Sequence, residues 1–173
     1  MDVAHGLRSV IFRFFNVAGA DPQVEIGENH RPETHLIPLM LQAIDGQRGA
    51  LTINGTDYPT RDGTCIRDYV HVSDLVDAHL RGLDWLRAGG ASRAFNLGTG
   101  HGFTVREVVD AAEAVTGIPV PVAEGPRRPG DCARLVSGSG RAGAEFGWTP
   151  ARSDLAQMIA DAWRWHRNGG FSR

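Results

Sequence analysis

The stretch Cys65-Ile-Arg-Asp-Tyr-Val-His-Val72 sets Arg67 and Asp68 side by side inside an otherwise apolar, β-branched run. A charge withdrawn from water has to be matched, because the desolvation penalty exceeds what folding can leave uncompensated. Neighbours on a strand point to opposite faces, so Arg67 and Asp68 cannot neutralise one another and each needs its own partner. For Arg67 the pattern admits a structural carboxylate or a bound phosphate equally. A second cationic feature, Pro126-Arg-Arg-Pro-Gly-Asp131, combines two guanidinium groups with a rigid turn that can hold one inward and leave the other in solvent. Guanidinium grips phosphate in a fork, with each charge-assisted bond worth roughly 1.5 to 3 kcal/mol. A solvated basic turn is the simpler account of that segment taken alone.

Other chemistries are excluded by composition. All 18 basic side chains are Arg, so Schiff-base, lysine-assisted tyrosine and P-loop lysine chemistry have no residue to work with in this chain. Cys65 and Cys132 are single and far apart, and the seven histidines show neither HExxH nor HxxxH, so no metal is expected. His71 alternates with Val70 and Val72 as a half-buried strand residue would, and Ser73 reads as an N-cap rather than a nucleophile. The net charge of -2 predicts no attraction to nucleic acid or anionic lipid. No apolar run approaches the roughly 18 residues that span a bilayer, no signal pattern opens the chain, and a reducing cytoplasm fits the cysteine usage.

The elements that must position these groups alternate between strand and helix across one domain spanning residues 1 to 173. Ser9 to Phe15 reads as a strand covered on both faces, and Thr34 as the cap of a helix running to Ile44. Leu51 to Ile53, Tyr69 to Val72, Ala94 to Leu97 and Pro119 to Ala123 are further strands. Ser73 caps a helix with apolar positions 75, 76, 80, 83 and 86, and Thr104 with Glu107 forms a capping box for a helix closed by Gly117. Ser139 to Phe146 is a weak helix, and Ser153 caps a last one with 155, 158, 159, 162 and 163 on one side. Gly98-Thr-Gly-His-Gly102 lies between strand and helix, but its GxGxG spacing and the lack of a properly placed acid make it a tight turn rather than a dinucleotide loop.

Five segments, taken in order, closely resemble the UDP-glucose 4-epimerase family of the extended short-chain dehydrogenase superfamily. They are RFFNVAGADP (13 to 22), ETHLIP (33 to 38), DYPTRDGTCIRDYVHV (57 to 72), NLGTG (96 to 100) and RRPGD (127 to 131). The resemblance implies an α/β fold: the C-terminal part of an NAD-dependent epimerase, with the last strands of a Rossmann-type sheet and a small mixed α/β substrate-binding domain. It implies that Asn16 and His35 lie beside the substrate diphosphate, His35 standing where some members carry Asn, and that Leu36 is a further substrate-binding residue. Phe14 falls where the family often places a Tyr against the nicotinamide of NAD. Thr52 and Asn54 occupy the strand whose backbone pairs with uracil. Arg67 and Arg128 grip the diphosphate, Asp131 approaches the uridine ribose, and Leu135 gates the sugar pocket.

The resemblance also implies an N-terminal half with a glycine-rich NAD loop and a Tyr-x-x-x-Lys pair, neither of which occurs here. Tyr58 and Tyr69 are followed four positions later by Asp62 and Ser73. The expectation is a UDP-sugar-binding half of an epimerase, inactive alone, whose full-length relatives form homodimers. Half of a UDP-pentose 4-epimerase and a stand-alone nucleotide-sugar-binding or partner module are the alternatives.

Overall fold

A computed structural model describes residues 2–169. In chain order the elements are α1 (Asp2–His5), β1 (Val10–Arg13), β2 (Asn16–Ala18), α2 (Leu36–Ile44), β3 (Leu51–Asn54), β4 (Ile66–Arg67), β5 (Tyr69–His71) and α3 (Val72–Arg87). There follow β6 (Arg93–Asn96), β7 (Phe103–Thr104), α4 (Val105–Thr116), β8 (Val122–Gly125), β9 (Arg134–Leu135), α5 (Gly140–Phe146) and α6 (Leu155–Arg167).

The apolar run that starts at Ser9 becomes two strands with a break at Phe14 and Phe15. β1 pairs in parallel with β6, placing Phe12 opposite Phe95, and β2 pairs in parallel with β5, placing Asn16 opposite Tyr69. Backbone bonds from Leu97 N–H to the Arg13 carbonyl (2.8 Å) and from Asn16 N–H to the Asp68 carbonyl (3.3 Å) carry the pairing up to the break on each side. These are the last strands of a Rossmann-type sheet. Beside them, β3 pairs in parallel with β8, while β4 lies between antiparallel β7 and parallel β9. This second group is the small mixed region that sequence reading expects, although β7 and β9 are too short to leave a periodic signal.

One expectation fails at β1, which is covered on only one face. Val10 and Phe12 meet α3, where a Cβ on Gly82 would stand 2.6 Å from the Phe12 ring, whereas Ile11 is 57% exposed. Of the apolar positions expected on α3, only Leu75 is buried. Ala78 and Gly82 fill the inner face, and Val76, Leu80 and Leu83 stay exposed. Ile11, Phe14, Phe15, Val76, Leu80 and Leu83 thus leave apolar surface uncovered on the strands and helix that carry the parallel pairs. The other core is closed by α2, α4 and α6, whose inward residues include Met40, Leu41, Val108, Ala112, Met158 and Ile159.

Three caps differ from the expected ones. His35, not Thr34, occupies the α2 N-cap position without a side-chain cap, and just before it Glu33 Oε1 accepts from the Thr34 and His35 amides (2.7 and 2.8 Å). His71, not Ser73, caps α3, its Nδ1 accepting from Ser73 N–H at 3.0 Å. Asp154, not Ser153, caps α6, because Ser153 Oγ accepts from His71 N–H (2.9 Å) and donates to Asp74 (2.6 Å). The Thr104–Glu107 capping box and the left-handed Gly117 C-cap form as expected. His71 itself is fully buried rather than half-buried. With Nδ1 accepting, its Nε2 carries the proton and donates to the equally buried Asp161 at 3.1 Å.

Asp68 sits between β4 and β5 and interrupts them. Its buried carboxylate accepts from Thr99 N–H (3.0 Å), Thr99 Oγ (2.6 Å), Gly100 N–H (3.1 Å) and Ser137 N–H (3.0 Å). The GxGxG turn wraps this carboxylate. A Cβ on Gly98 would lie 2.7 Å from Asp68 Oδ2, and one on Gly102 would lie 2.3 Å from Ile66 Cγ2. The turn's glycines therefore serve close packing against β4. Removing the carboxylate strands three backbone donors, each costing about 1–3 kcal/mol. Asp68→Ala is expected to lower the unfolding free energy by at least about 3 kcal/mol in urea titration, and Asp68→Asn to recover only part, because its amide turns an N–H toward another N–H. A loss below 1 kcal/mol would contradict the assignment.

Candidate functional site

With Asp68 committed to the glycine turn, Arg67 leaves β4 on the other side. Its guanidinium donates to the Ile66 and Cys132 carbonyls (2.8 and 2.9 Å) and to Asp131 Oδ1 (2.5 Å). The second oxygen of Asp131 accepts from Arg128 at 3.2 Å. One carboxylate is thus shared between two guanidinium groups, and the trio keeps an excess of one positive charge. Arg67 is largely buried and Arg128 is 63% exposed, so the pair offers one fixed and one adjustable donor. Leu135 lies directly opposite Arg67 in the β4–β9 register.

Arg127, the other arginine of the turn, caps Tyr58 instead. Its guanidinium lies 4.3 Å from the ring centre, and its Nε donates to Asp57 (2.7 Å), a bond that holds the Asp57 carboxyl below its ordinary range. Beneath it Tyr58 is buried, and its hydroxyl has no protein hydrogen-bond partner. Burial, then the charge of Asp131, pushes that phenol up, so it stays a donor. Gly55 allows this packing: a Cβ there would lie 2.6 Å from Tyr58 and 2.7 Å from Arg127. The end of β3 is thereby held against the arginine turn. Along β3, Leu51 and Ile53 are buried, and Thr52 and Asn54 alternate with them on the other face. The second edge of β3 has no strand partner among the described residues.

A cavity of about 720 Å³ lies across the ends of the parallel pairs, lined by Phe14, Asn16, His35, Leu36, Tyr69 and Trp165 among others. Its walls are mainly apolar, and Phe14, 40% exposed, presents an aromatic face. The ten sequence-derived positions therefore fall into two groups. Phe14, Asn16, His35 and Leu36 share the cavity, whereas Thr52, Asn54, Arg67, Arg128, Asp131 and Leu135 surround the arginine turn. The groups adjoin at residues 67 to 69, where Asn16 is bonded to Asp68 and paired with Tyr69. Sequence reading missed Tyr58 and Arg127. The signal was an aromatic three residues past Gly55 and a second arginine in the turn, but only the fold stacks them.

The loop leading to β4 is pinned to α4. Asp62 accepts from Thr64 N–H and Oγ (2.8 Å each) and from Thr104 Oγ, while Glu107 accepts from Arg61 and from Thr104 N–H (2.9 Å). Burial pushes the Asp62 carboxyl up, but its hydrogen bonds outweigh this and hold it below the ordinary range; the Arg61 bond does the same for Glu107.

A sequence model of the NAD dependent epimerase/dehydratase family matches residues 1–98, and the chain belongs to that family. The particular relatives are narrower. A UDP-glucose 4-epimerase of Lacticaseibacillus casei is 52% identical over 96% of this chain and 50% of its own length. The UDP-glucose 4-epimerase of Brucella ovis, solved in complex with NAD, is 45% identical with a TM-score of 0.91, the match covering 94% of this chain and 50% of that one. That of Bifidobacterium longum, solved with NAD+ and UDP, is 34% identical with a TM-score of 0.91 over 99% and 51%. The chain spans about half the length of the curated relatives it matches.

The depressed carboxyls generate a pH prediction. Their folded-state values lie below the unfolded ones, so their stabilisation is complete above the ordinary carboxylate range, about pH 4, and is lost as pH falls through the folded values. The urea midpoint should therefore be flat near neutrality and fall on acidification, with a shallower acid slope in Arg61→Ala. An unchanged slope in that variant would refute the role given to the Arg61–Glu107 pair.

Proposed function

We propose that this chain is the UDP-sugar-binding half of a UDP-hexose 4-epimerase, residues 1 to 173 acting as one substrate-binding unit, without epimerase activity of its own. The observation that carries this reading is the carboxylate of Asp131 held between Arg67 and Arg128, beside the unpartnered edge of β3. A diphosphate carries the charge and the acceptor oxygens to take over both guanidinium groups, and Asp131 is then released toward a ribose hydroxyl. The edge of β3 at Thr52 and Asn54 offers the backbone donor and acceptor that a uracil ring requires. Leu135 borders the sugar, and Asn16, His35 and Leu36 supply the cavity wall next to the diphosphate.

The same geometry suits the reaction the relatives are named for. A 4-epimerase must let the hexose turn over between its two faces, so binding energy belongs on the nucleotide and a uniform grip on the sugar would oppose catalysis. Here the charged donors cluster at the arginine turn, while the cavity walls are largely apolar.

The fit to NAD is partial. The exposed face of Phe14 suits a nicotinamide ring, which when bound supplies hydride chemistry. Among the described residues no glycine-rich turn between strand and helix is available for its pyrophosphate, since the turn at residues 98 to 102 is occupied by Asp68. The uncovered apolar residues Ile11, Val76, Leu80 and Leu83 are the surface against which a nucleotide-binding half packs. Homodimer assembly and a cytoplasmic location belong to the same proposal. In support of the latter, both cysteines are free thiols, and no helix among the described residues is long and apolar enough to cross a membrane.

Calorimetry with UDP tests the reading. The 173-residue chain should bind UDP saturably, and Arg67→Ala should weaken binding at least about tenfold, from the loss of bonds worth roughly 1.5 to 3 kcal/mol. Addition of NAD and UDP-galactose should give no turnover. Failure to bind UDP would overturn the binding role, and turnover would overturn the assignment of the acid–base pair to residues outside this chain.

A further inference from the structure

The histidines follow no helical metal-binding spacing, yet the loop before α2 gathers Glu28, His30, Glu33 and His35 so that one ligand atom from each lies within 4.8 Å of the others. We propose that these four side chains form a binding site for a divalent transition-metal ion of the zinc type. Two nitrogens and two carboxylate oxygens make a four-ligand set of the kind that holds zinc. His35 Nδ1 and His30 Nδ1 lie 3.3 and 3.6 Å from Glu33 Oε1, and Glu28 Oε1 also touches His35 Nδ1.

The Glu33 carboxylate is what points to a ligand rather than to paired charges. The Glu33 side chain is only 5% exposed, and its Oε2 is buried without a hydrogen-bond partner, an expensive state for a carboxylate oxygen unless something coordinates it. The other oxygen, Oε1, is fixed by the Thr34 and His35 amides, so the carboxylate is oriented by its own loop before any ion arrives. The His30 and His35 rings stack with centres 4.9 Å apart, and both turn Nδ1 toward that one carboxylate. A single dication satisfies both lone pairs and balances both carboxylates. The scaffold is anchored from α6, where Trp165 Nε1 donates to the Glu28 carbonyl at 2.9 Å and packs on Gly27.

Imidazole donors select zinc, cobalt, nickel or copper over calcium and magnesium, and the absence of a thiolate from the set argues against an iron–sulfur centre. His30 and His35 are about half exposed, so an ion can reach the site from solvent. This inference does not depend on the UDP-sugar reading. His35 belongs to both sites, so the variants are made at His30 and Glu33.

Chelator-treated chain is titrated with CoCl2, followed by its visible absorption, and with ZnCl2 in competition. One ion per chain is expected, weakened at least about tenfold in His30→Ala and in Glu33→Gln, with MgCl2 and CaCl2 failing to compete. ZnCl2 should also raise the urea midpoint of the unmodified chain but not that of His30→Ala. That variant alters a half-exposed side chain, and its metal-free midpoint checks that it folds. No saturable cobalt or zinc binding, binding unchanged in both variants, or equal binding of calcium would overturn the proposal.

Discussion

Asp68 is the constraint from which the rest of the site follows. A carboxylate in a strand cannot remain there unmatched, and this one is matched by donors from the glycine turn and from Ser137. Meeting them interrupts the strand and divides it into β4, which joins the small mixed sheet, and β5, which joins the parallel pairs. The alternation of side chains then sends Arg67 the opposite way, toward Asp131 and Arg128. The same residue that costs the strand its continuity thus connects the two structural regions and aims the arginine.

A second buried network holds the far wall. His71 bridges the end of β5 to Asp161 on α6, and Asp74 at the start of α3 accepts from Ala151 N–H, Arg152 N–H and Ser153 Oγ. Gly19 is required beside it, since a Cβ there would stand 2.5 Å from His71 Nε2. Because α6 also carries Trp165, which supports the loop at Glu28, the cavity wall and the histidine-carboxylate cluster rest on these buried charges. Leaving one of these buried carboxylates without a donor costs about 1–3 kcal/mol or more, a sizeable share of the total stability of a domain this size.

Most of the element order was legible, since α4 and α6 announce themselves by apolar spacing and the Thr104–Glu107 box. What the sequence could not show is which of several candidate groups satisfies a given backbone amide. Thr34, Ser73 and Ser153 all looked like caps, but the N-cap positions fall at His35, His71 and Asp154, a one- or two-residue shift that no local rule encodes. The face of α3 was hidden for a related reason. Beside Leu75 its inner side carries the small residues Ala78 and Gly82, the latter required by close approach to Phe12, so Val76, Leu80 and Leu83 mark the uncovered side. Arg67 was legible as a buried charge needing a partner, and its partner was not, because Asp131 is 64 residues away. Glu28, His30, Glu33 and His35 were invisible as a group, since a turn rather than a helical repeat brings them together.

In the proposed role, the Asp68-directed arginine and Arg128 form an anion site for a nucleoside diphosphate. A crystal structure of the chain with UDP tests it most directly. The diphosphate should lie between Arg67 and Arg128, with Asp131 withdrawn to the ribose and the uracil on the open edge of β3. UDP bound elsewhere, with the Arg67–Asp131–Arg128 bridge intact, would contradict it.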